Sequence, residues 1–528
     1  MSSSPAGPLP LNPEAFGLDA AEGPVELLQT HIGWIYLTRS YAFKLKKHVK
    51  FDFLDFTTVE KRRWACDREI TLNRRLCPDL YLGLFPVVKD SGSVRIAEPD
   101  ARDPLDWCVK MRRLPADRML DELLNQERVT TADAEAMAEV LAQFYLKQRG
   151  AIKPGGLGDL EAMRGNIDEN LSEGNGLDPE LLAPEALALI AQRANRYLYN
   201  HAEELRQRVR EGFVVDGHGD LRAENVCLPE NASPLFFDCI EFNDRFRIVD
   251  SALDVAFLAM DFDSRNREDL SAALLDRYMK RCDAKLPAEL FDFYLGYRAY
   301  IKGKVAAWIA ADAHVAPAQR EKSRAQSRML FDLCVRYALK NQPLLFVFCG
   351  VAGSGKSSLA RVLATRLKCE HAATDFVRDE LIPRGLPAAE RYAPEISYRV
   401  YQELNARAER ALSESRAIVL DGTYTRKATR ALSGQLGRRF NARTVLIYAR
   451  CPAETIAAHI AARTQSGELH GSEADLTVAR EQLAGFEAPA TSEGFGAVVT
   501  IDTSAPLAEA QAALWREILK ALTPAPDP

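Results

Sequence analysis

Phe346-Val-Phe-Cys-Gly-Val-Ala-Gly-Ser-Gly-Lys-Ser-Ser358 fits the pattern G-x-x-x-x-G-K-[ST] from Gly350 to Ser357. Its flanks agree with it. Leu344 to Cys349 is an apolar run of strand length behind Pro343, and Leu359, Val362, Leu363 and Leu367 recur at helical spacing beyond Gly355. Strand, glycine loop and helix in that order let backbone N–H groups curl round a phosphate chain while the helix N-terminus faces the same anion. Gly350, Gly353, Ser354 and Gly355 would form the cradle, Lys356 would reach the terminal phosphates, and Ser357 would hold Mg²⁺. Ser358 closes the stretch as a residue of the first helical turn. The reading is a nucleotide site.

Outward from this loop, Asn341-Gln-Pro343 is a boundary, and the unit that begins at 341 runs to 522 before a Pro-rich tail at 523–528. Ala417-Ile-Val-Leu-Asp421 is an apolar strand ending in an acid, placed to hold Mg²⁺ through water. Thr444 to Tyr448 and Ala497 to Ile501 add strands that alternate with helical segments, the signature of a parallel sheet. His371-Ala-Ala-Thr-Asp375-Phe-Val-Arg378 puts an acid and a base at one strand's end, where ligands bind in such sheets. Asp375 can also be read as a cap of the helix at Phe376. His459-Ile-Ala-Ala-Arg463 reads as the start of a lid or as a solvent-facing helix terminus.

A chain of 528 residues has room for about three globular units. With 47% apolar and 27% charged residues and a net charge of −6, it argues against a general nucleic-acid or anionic-membrane binder. The ten cysteines stand singly, without a C-x-x-C pair, and read as reduced thiols. Met-Ser-Ser-Ser-Pro-Ala-Gly has neither a basic nor an apolar signal region, and no apolar run nears the roughly 20 residues that span a bilayer. The expected location is the cytoplasm, with no membrane association.

Residues 1–24 are rich in Pro, Gly, Ser and Ala and read as a flexible leader. Val25 to Thr30, Trp34 to Thr38 and Tyr41 to Lys47 read as an antiparallel meander, and a helix with capping-box spacing at Thr57-Thr-Val-Glu60 runs to about Leu76. Glu69 shares a face with Ala65, Leu72 and Leu76, so its carboxylate either needs a cation such as Lys44 or sits at the face's edge beside Arg62 or Arg75. Lys46 shares the strand face of Lys44 and is not separated from it by spacing. Trp107 to Met111 is a further strand, and Arg112 to Pro115 leads out of a small lobe, 25–115, into a larger helical lobe, 116–340.

Val214-Val-Asp-Gly-His-Gly-Asp-Leu-Arg-Ala-Glu-Asn-Val-Cys-Leu228, followed by Leu235-Phe-Phe-Asp-Cys-Ile-Glu-Phe242, sets a polar loop between two apolar segments. Phosphoryl transfer needs a base for the acceptor hydroxyl and oxygen ligands for metal ions. Asp220 suits the first role, Asn225 and Asp238 the second.

His218-Gly-Asp220 with Asn225 matches H-x-D-x-x-x-x-N, and with Asp238 and the later Asp250 and Asp254 it resembles the aminoglycoside phosphotransferase (choline-kinase-like) family over about Val25 to Leu339. The resemblance implies a protein-kinase-like bilobal fold, with Asp220 as base, Asn225 and Asp238 as Mg²⁺ ligands, Lys44 as phosphate-binding lysine and Glu69 as its partner. His218 and Asp254 would be structural. This sequence departs from the pattern in carrying a single glycine, Gly33, between its first two strands. Arg298, Lys302 and Asp250 read as acceptor contacts or as a surface salt-bridge network. The C-terminal unit resembles the small-molecule kinases built on the phosphate-binding loop, the group of gluconate kinase, zeta toxins and polynucleotide 5′-kinase. That resemblance makes Asp375 the base, Arg378 an acceptor or phosphate clamp, and Arg463 a bridge to the transferring phosphates.

The fold expectation is therefore a mixed chain, α+β then α/β, that binds ATP and Mg²⁺ twice and phosphorylates small hydroxyl-bearing acceptors. The rivals are an ATP-binding sensor with one or both domains silent, a polynucleotide kinase, which Asp379 and Glu380 beside the site oppose, and an aminoglycoside kinase, whose acidic drug pocket the mixed-charge helices do not offer.

Overall fold

The computed structural model describes residues 8–51, 54–90, 92–282, 285–382, 388–466 and 476–523. By contact the chain divides into two compact units, residues 1–170 with 197–299, and residues 171–196 with 300–528. The second unit thus begins before the boundary expected at 341. Helical periodicity marks which face of Pro317–Leu339 is buried but not which neighbour buries it. Here Asp332 of that helix pairs with Arg366 at 2.6 Å, and the Arg366 guanidinium lies 4.0 Å from the Trp515 ring centre.

In the first unit, β1 (Glu26–Gln29), β2 (Gly33–Leu37) and β3 (Tyr41–Lys46) form the expected meander and continue through Asp106–Arg112, Tyr81–Asp90 and Ser93–Ile96 into a six-stranded antiparallel sheet. Alternation along β3 sends Phe43 and Leu45 into a core with Tyr36, Val87 and Cys108 on one face, and Lys44 and Lys46 to the other. Helix α1 (Val59–Asn73) packs on that second face; Thr58, not Thr57, is its N-cap, accepting a hydrogen bond from Lys61 N–H. The remainder of this unit is mainly helical.

The expected flexible leader is corrected from residue 8 onward. Asn12 caps a single 3-10 turn, Pro13–Phe16, which buries Ala15 and Phe16 against the outer face of the sheet, and Leu9 N–H donates to the Tyr36 hydroxyl at 2.7 Å. Too short to show periodicity, the turn is held by ring contacts: Phe16 lies 5.0 Å from both Tyr36 and Phe43. Because Phe16 is only 2% exposed, Phe16→Ala is expected to cost about 3–5 kcal/mol in urea denaturation. A loss below about 0.5 kcal/mol, the surface-substitution range, would return the segment to leader status.

The second unit carries a five-stranded parallel sheet in the order Glu370–Ala373, Ala417–Asp421, Leu344–Cys349, Arg443–Arg450, Ala497–Asp502. Its central strand is buried along its whole length, which is why Leu344 to Cys349 reads as an unbroken apolar run. Among the described residues no helix is long and apolar enough to cross a membrane.

Candidate functional sites

In the first unit the polar loop is suspended from a buried acid. Asp254, fully buried on the helix Ser251–Asp263, accepts from His218 N–H at 2.6 Å, from Gly219 N–H at 2.9 Å and from the Tyr145 hydroxyl at 3.0 Å. Gly219 has φ +84°, and a Cβ there would stand 3.0 Å from the Phe246 carbonyl, so the turn that presents Asp220 admits only glycine. His218 is buried, bonds the Phe237 carbonyl through Nε2, and is pushed down by burial against the pull of Asp254. Its place is structural.

Asn225 Nδ2 donates to the Asp220 carbonyl at 2.9 Å and to its carboxylate at 3.1 Å. Arg222 Nε stands 2.8 Å from the other carboxylate oxygen. The sequence reading passed over Arg222, although its spacing, two residues beyond Asp220 in the same loop, was visible. Asp250, by contrast, is 2% exposed and held by Arg208, and buried Arg298 donates to the Leu253 carbonyl, so neither belongs to a surface network.

Lys44 and Lys46 both reach Glu69. Lys44 Nζ donates to Glu69 Oε1 at 2.9 Å and to Asp238 Oδ1, while Lys46 Nζ lies between Glu69 Oε2, at 2.5 Å, and Glu241. The edge reading of Glu69 is set aside, because Arg62 pairs with Asp106 at 2.9 Å and Arg75 with Asp216 at 3.0 Å. Burial drives the Glu69 carboxyl up, but the two ammonium groups outweigh it and hold the group below its ordinary value. Asp238 is likewise opposed by burial and drawn down to about 2, chiefly by Lys44. Glu241 carried no role in the sequence reading. Its spacing from Asp238 gives no hint that it turns back to β3.

The hairpin between β1 and β2 is short: Thr30 N–H bonds the Gly33 carbonyl at 3.0 Å. A Cβ at Gly33 would stand 2.9 Å from the Leu45 carbonyl, so close approach of β3 explains that glycine.

In the second unit Gly350, Gly353 and Gly355 have φ of +148°, +78° and +80°, and the helix Lys356–Leu367 starts directly from Gly355. The loop is pinned from several sides. Gly350 N–H bonds the Thr423 carbonyl at 3.1 Å, the Thr503 hydroxyl bonds the Ser354 carbonyl at 2.7 Å, Ala352 N–H bonds Gln482 at 2.8 Å, and His459 Nδ1 meets the Gly353 carbonyl at 3.0 Å. Gln482 and the contact of His459 were not legible, since both come from helices distant in sequence. The backbone of Arg463 falls in the helix Ala453–Ser466, and its side chain lies outside the described residues, as do residues 467–475.

Asp421 ends its strand at 2% exposure, with Oδ2 3.2 Å from His371 Nε2 and Oδ1 buried without a hydrogen-bond partner. Ser354 Oγ is buried without a partner as well. Orphaned oxygens of this kind beside Lys356 fit a bound cation and phosphate chain, so Asp421 and Ser357 are the residues that would hold Mg²⁺ here. Asp375 lies inside the helix Thr374–Leu381, whose N-cap is Ala373, so it does not cap Phe376. It receives Arg378 Nη1 at 3.0 Å, and Arg378 lies 4.5 Å from the Tyr392 ring centre. Burial pushes Asp375 up despite Lys356 and Arg378, while His371, Lys356 and Ser357 overcome burial to bring Asp421 down.

The first unit is therefore an antiparallel sheet and a helical region with an H-x-D loop hung on Asp254, and the second a phosphate-binding-loop domain; the AAA domain family (AAA_33) matches residues 345–489. The chain belongs to one family with the "Uncharacterized protein Rv2004c" of Mycobacterium tuberculosis (strain ATCC 25618 / H37Rv), 31% identical over 458 residues that span 83% of this chain and 86% of the relative. The "Uncharacterized protein Mb2027c" of Mycobacterium bovis matches to the same extent, 31% over 458 residues. Among solved structures, a choline/ethanolamine kinase family protein from Mesorhizobium loti covers 60% of this chain and 92% of its own at 14% identity and TM-score 0.34. A gluconokinase from Sinorhizobium meliloti 1021 covers 34% and 91% at 21% identity and TM-score 0.25.

Proposed function

We propose that this protein is an ATP- and Mg²⁺-dependent phosphotransferase with two nucleotide sites, each moving the γ-phosphate to a small hydroxyl-bearing acceptor. The observation that carries the reading is the glycine loop running straight into the helix Lys356–Leu367, with Ser354 Oγ in the loop and Asp421 Oδ1 at the end of the adjacent strand both buried without a partner. In the second unit Lys356 and the loop N–H groups bind the phosphate chain, Asp375 takes the acceptor proton, and Arg378 steadies Asp375 and the incoming anion. In the first unit Asp220 takes the acceptor proton, Lys44 binds phosphate with Glu69 behind it, and Asn225 and Asp238 would hold Mg²⁺. Mg²⁺ at these oxygens neutralises phosphate charge. Everything else is positioning by the chain.

The test is transfer of labelled γ-phosphate from ATP into a metabolite extract by wild type, Asp220→Ala and Lys356→Ala protein. Label lost selectively in one variant assigns a product to one unit. If wild type binds ATP and labels nothing, the reading fails. The short β1–β2 hairpin favours one specific second reading, in which the first unit binds ATP without turnover; label unchanged in Asp220→Ala and abolished in Lys356→Ala would select it.

Acid sensitivity follows from Asp375. A base must be ionised to act, and burial raises this carboxyl above its ordinary 3.8, so kcat/KM of the second unit is expected to fall as pH drops through a value above 3.8. A pH–rate profile measured on Asp220→Ala protein isolates this limb. An acid limb at or below 3.8 would remove Asp375 from the role of base.

A further inference from the structure

Both lysines of β3 meet one glutamate, yet their surroundings differ. Lys44 is 13% exposed and touches Asp238, whose side chain is 38% exposed; Lys46 is 1% exposed and touches only Glu69 and Glu241 among the described carboxylates. The five groups form one chain of ion pairs, Asp238–Lys44–Glu69–Lys46–Glu241. It holds three carboxylates against two ammonium groups.

On the phosphotransferase reading, Lys44 would turn toward phosphate and Asp238 toward a cation, opening the Lys44–Asp238 pair. Glu69 is 0% exposed, and a carboxylate so deeply buried keeps its charge only while a cation stays beside it. Lys46 holds that carboxylate through Oε2 at 2.5 Å, independently of what Lys44 does at Oε1. It cannot follow phosphate, because its own second partner, Glu241, comes from the segment beyond Asp238 and holds it in place. Burial by itself would lower the Lys46 ammonium, and the two carboxylates overturn that and raise it, so the group stays charged.

We propose that Lys46, locked between Glu69 and Glu241, is a positioning residue for the phosphate-binding Lys44: it keeps Glu69 ionised and fixed while Lys44 exchanges Asp238 for the nucleotide. The inference rests on the phosphotransferase reading of the first unit.

The experiment uses the full chain carrying Lys356→Ala, so that nucleotide binding reports the first unit, with MgATP titrated by calorimetry. Adding Lys46→Met is expected to weaken MgATP binding by about tenfold or more, as loss of an outer-shell partner does elsewhere, and Lys46→Arg to restore most of it. Glu241→Gln, which keeps shape and removes only the charge that anchors Lys46, should weaken MgATP binding in the same direction with near-UV circular dichroism intact. Lys44→Met is the reference for full loss. A folded Lys46→Met protein that binds MgATP as tightly as its parent overturns the proposal. Should Lys46→Met not fold, Glu241→Gln decides alone, unchanged affinity overturning the proposal and weakened affinity supporting it. If the Lys356→Ala parent with Lys44 intact binds no MgATP, the phosphotransferase reading of this unit is overturned, and the positioning role falls with it.

Discussion

Asp220→Asn is expected to lower phosphoryl transfer by the first unit by about 10²–10⁴-fold, the range that general-base catalysis supplies, while the melting temperature stays within about 2 °C of wild type. The structural reasons favour a clean experiment. Asp220 is 24% exposed at its side chain and carries none of the bonds that suspend its own loop. Those belong to Asp254, which holds the backbone N–H groups of His218 and Gly219. Asparagine retains an oxygen for Asn225 Nδ2 and gives up only the charge beside Arg222. Single-turnover transfer at saturating ATP and acceptor separates lost chemistry from lost binding. A fall of less than about tenfold in kcat would dismiss Asp220 as the base.

Arg430→Ala is expected to destabilise the second unit by about 3–5 kcal/mol, because it strands a buried carboxylate. Arg430 and Glu493 are 0% and 1% exposed and meet through two hydrogen bonds of 2.6 and 2.7 Å. Arg430 Nη1 also donates to the Tyr424 carbonyl at 2.7 Å, and Tyr424, at φ +43°, sits in the turn that leaves Asp421. Nucleotide affinity of this unit should therefore fall along with stability. Guanidinium denaturation of the full chain, followed at two wavelengths, reads the loss. The double variant Arg430→Met with Glu493→Leu should recover most of it, since an apolar pair of similar volume leaves no buried charge behind. A single variant that loses less than about 1 kcal/mol would show that water reaches Glu493 and that the pair does not brace the turn at Tyr424.

Charge balance along one helix explains why part of the first site could be read early. Glu69 was visible as a misplaced acid because helical periodicity assigns it to an inward face, and a buried carboxylate demands a cation. Which cation was not visible. Lys44 and Lys46 lie on the same strand face, and the distinction between them comes from Asp238 and Glu241, about two hundred residues onward. The same limit applies to the leader, where Phe16 finds Tyr36 and Phe43 through tertiary contact alone.

What the amino-acid sequence determined by itself is whatever rests on local spacing: the glycine loop from Gly350 to Ser357, the apolar strands on either side of it in the sheet, and the H-x-D loop around Asp220. Backbone conformation and phosphate chemistry impose these spacings over a few residues, so they survive without any knowledge of packing. Tertiary structure alone decided the partners: Lys46 with Glu241, Arg222 with Asp220, His371 with Asp421, Gln482 on Ala352, and the helices that join the second unit ahead of residue 341. Ion pairs and buried faces are chosen by proximity in space, and a residue's neighbours in the chain carry little record of that choice.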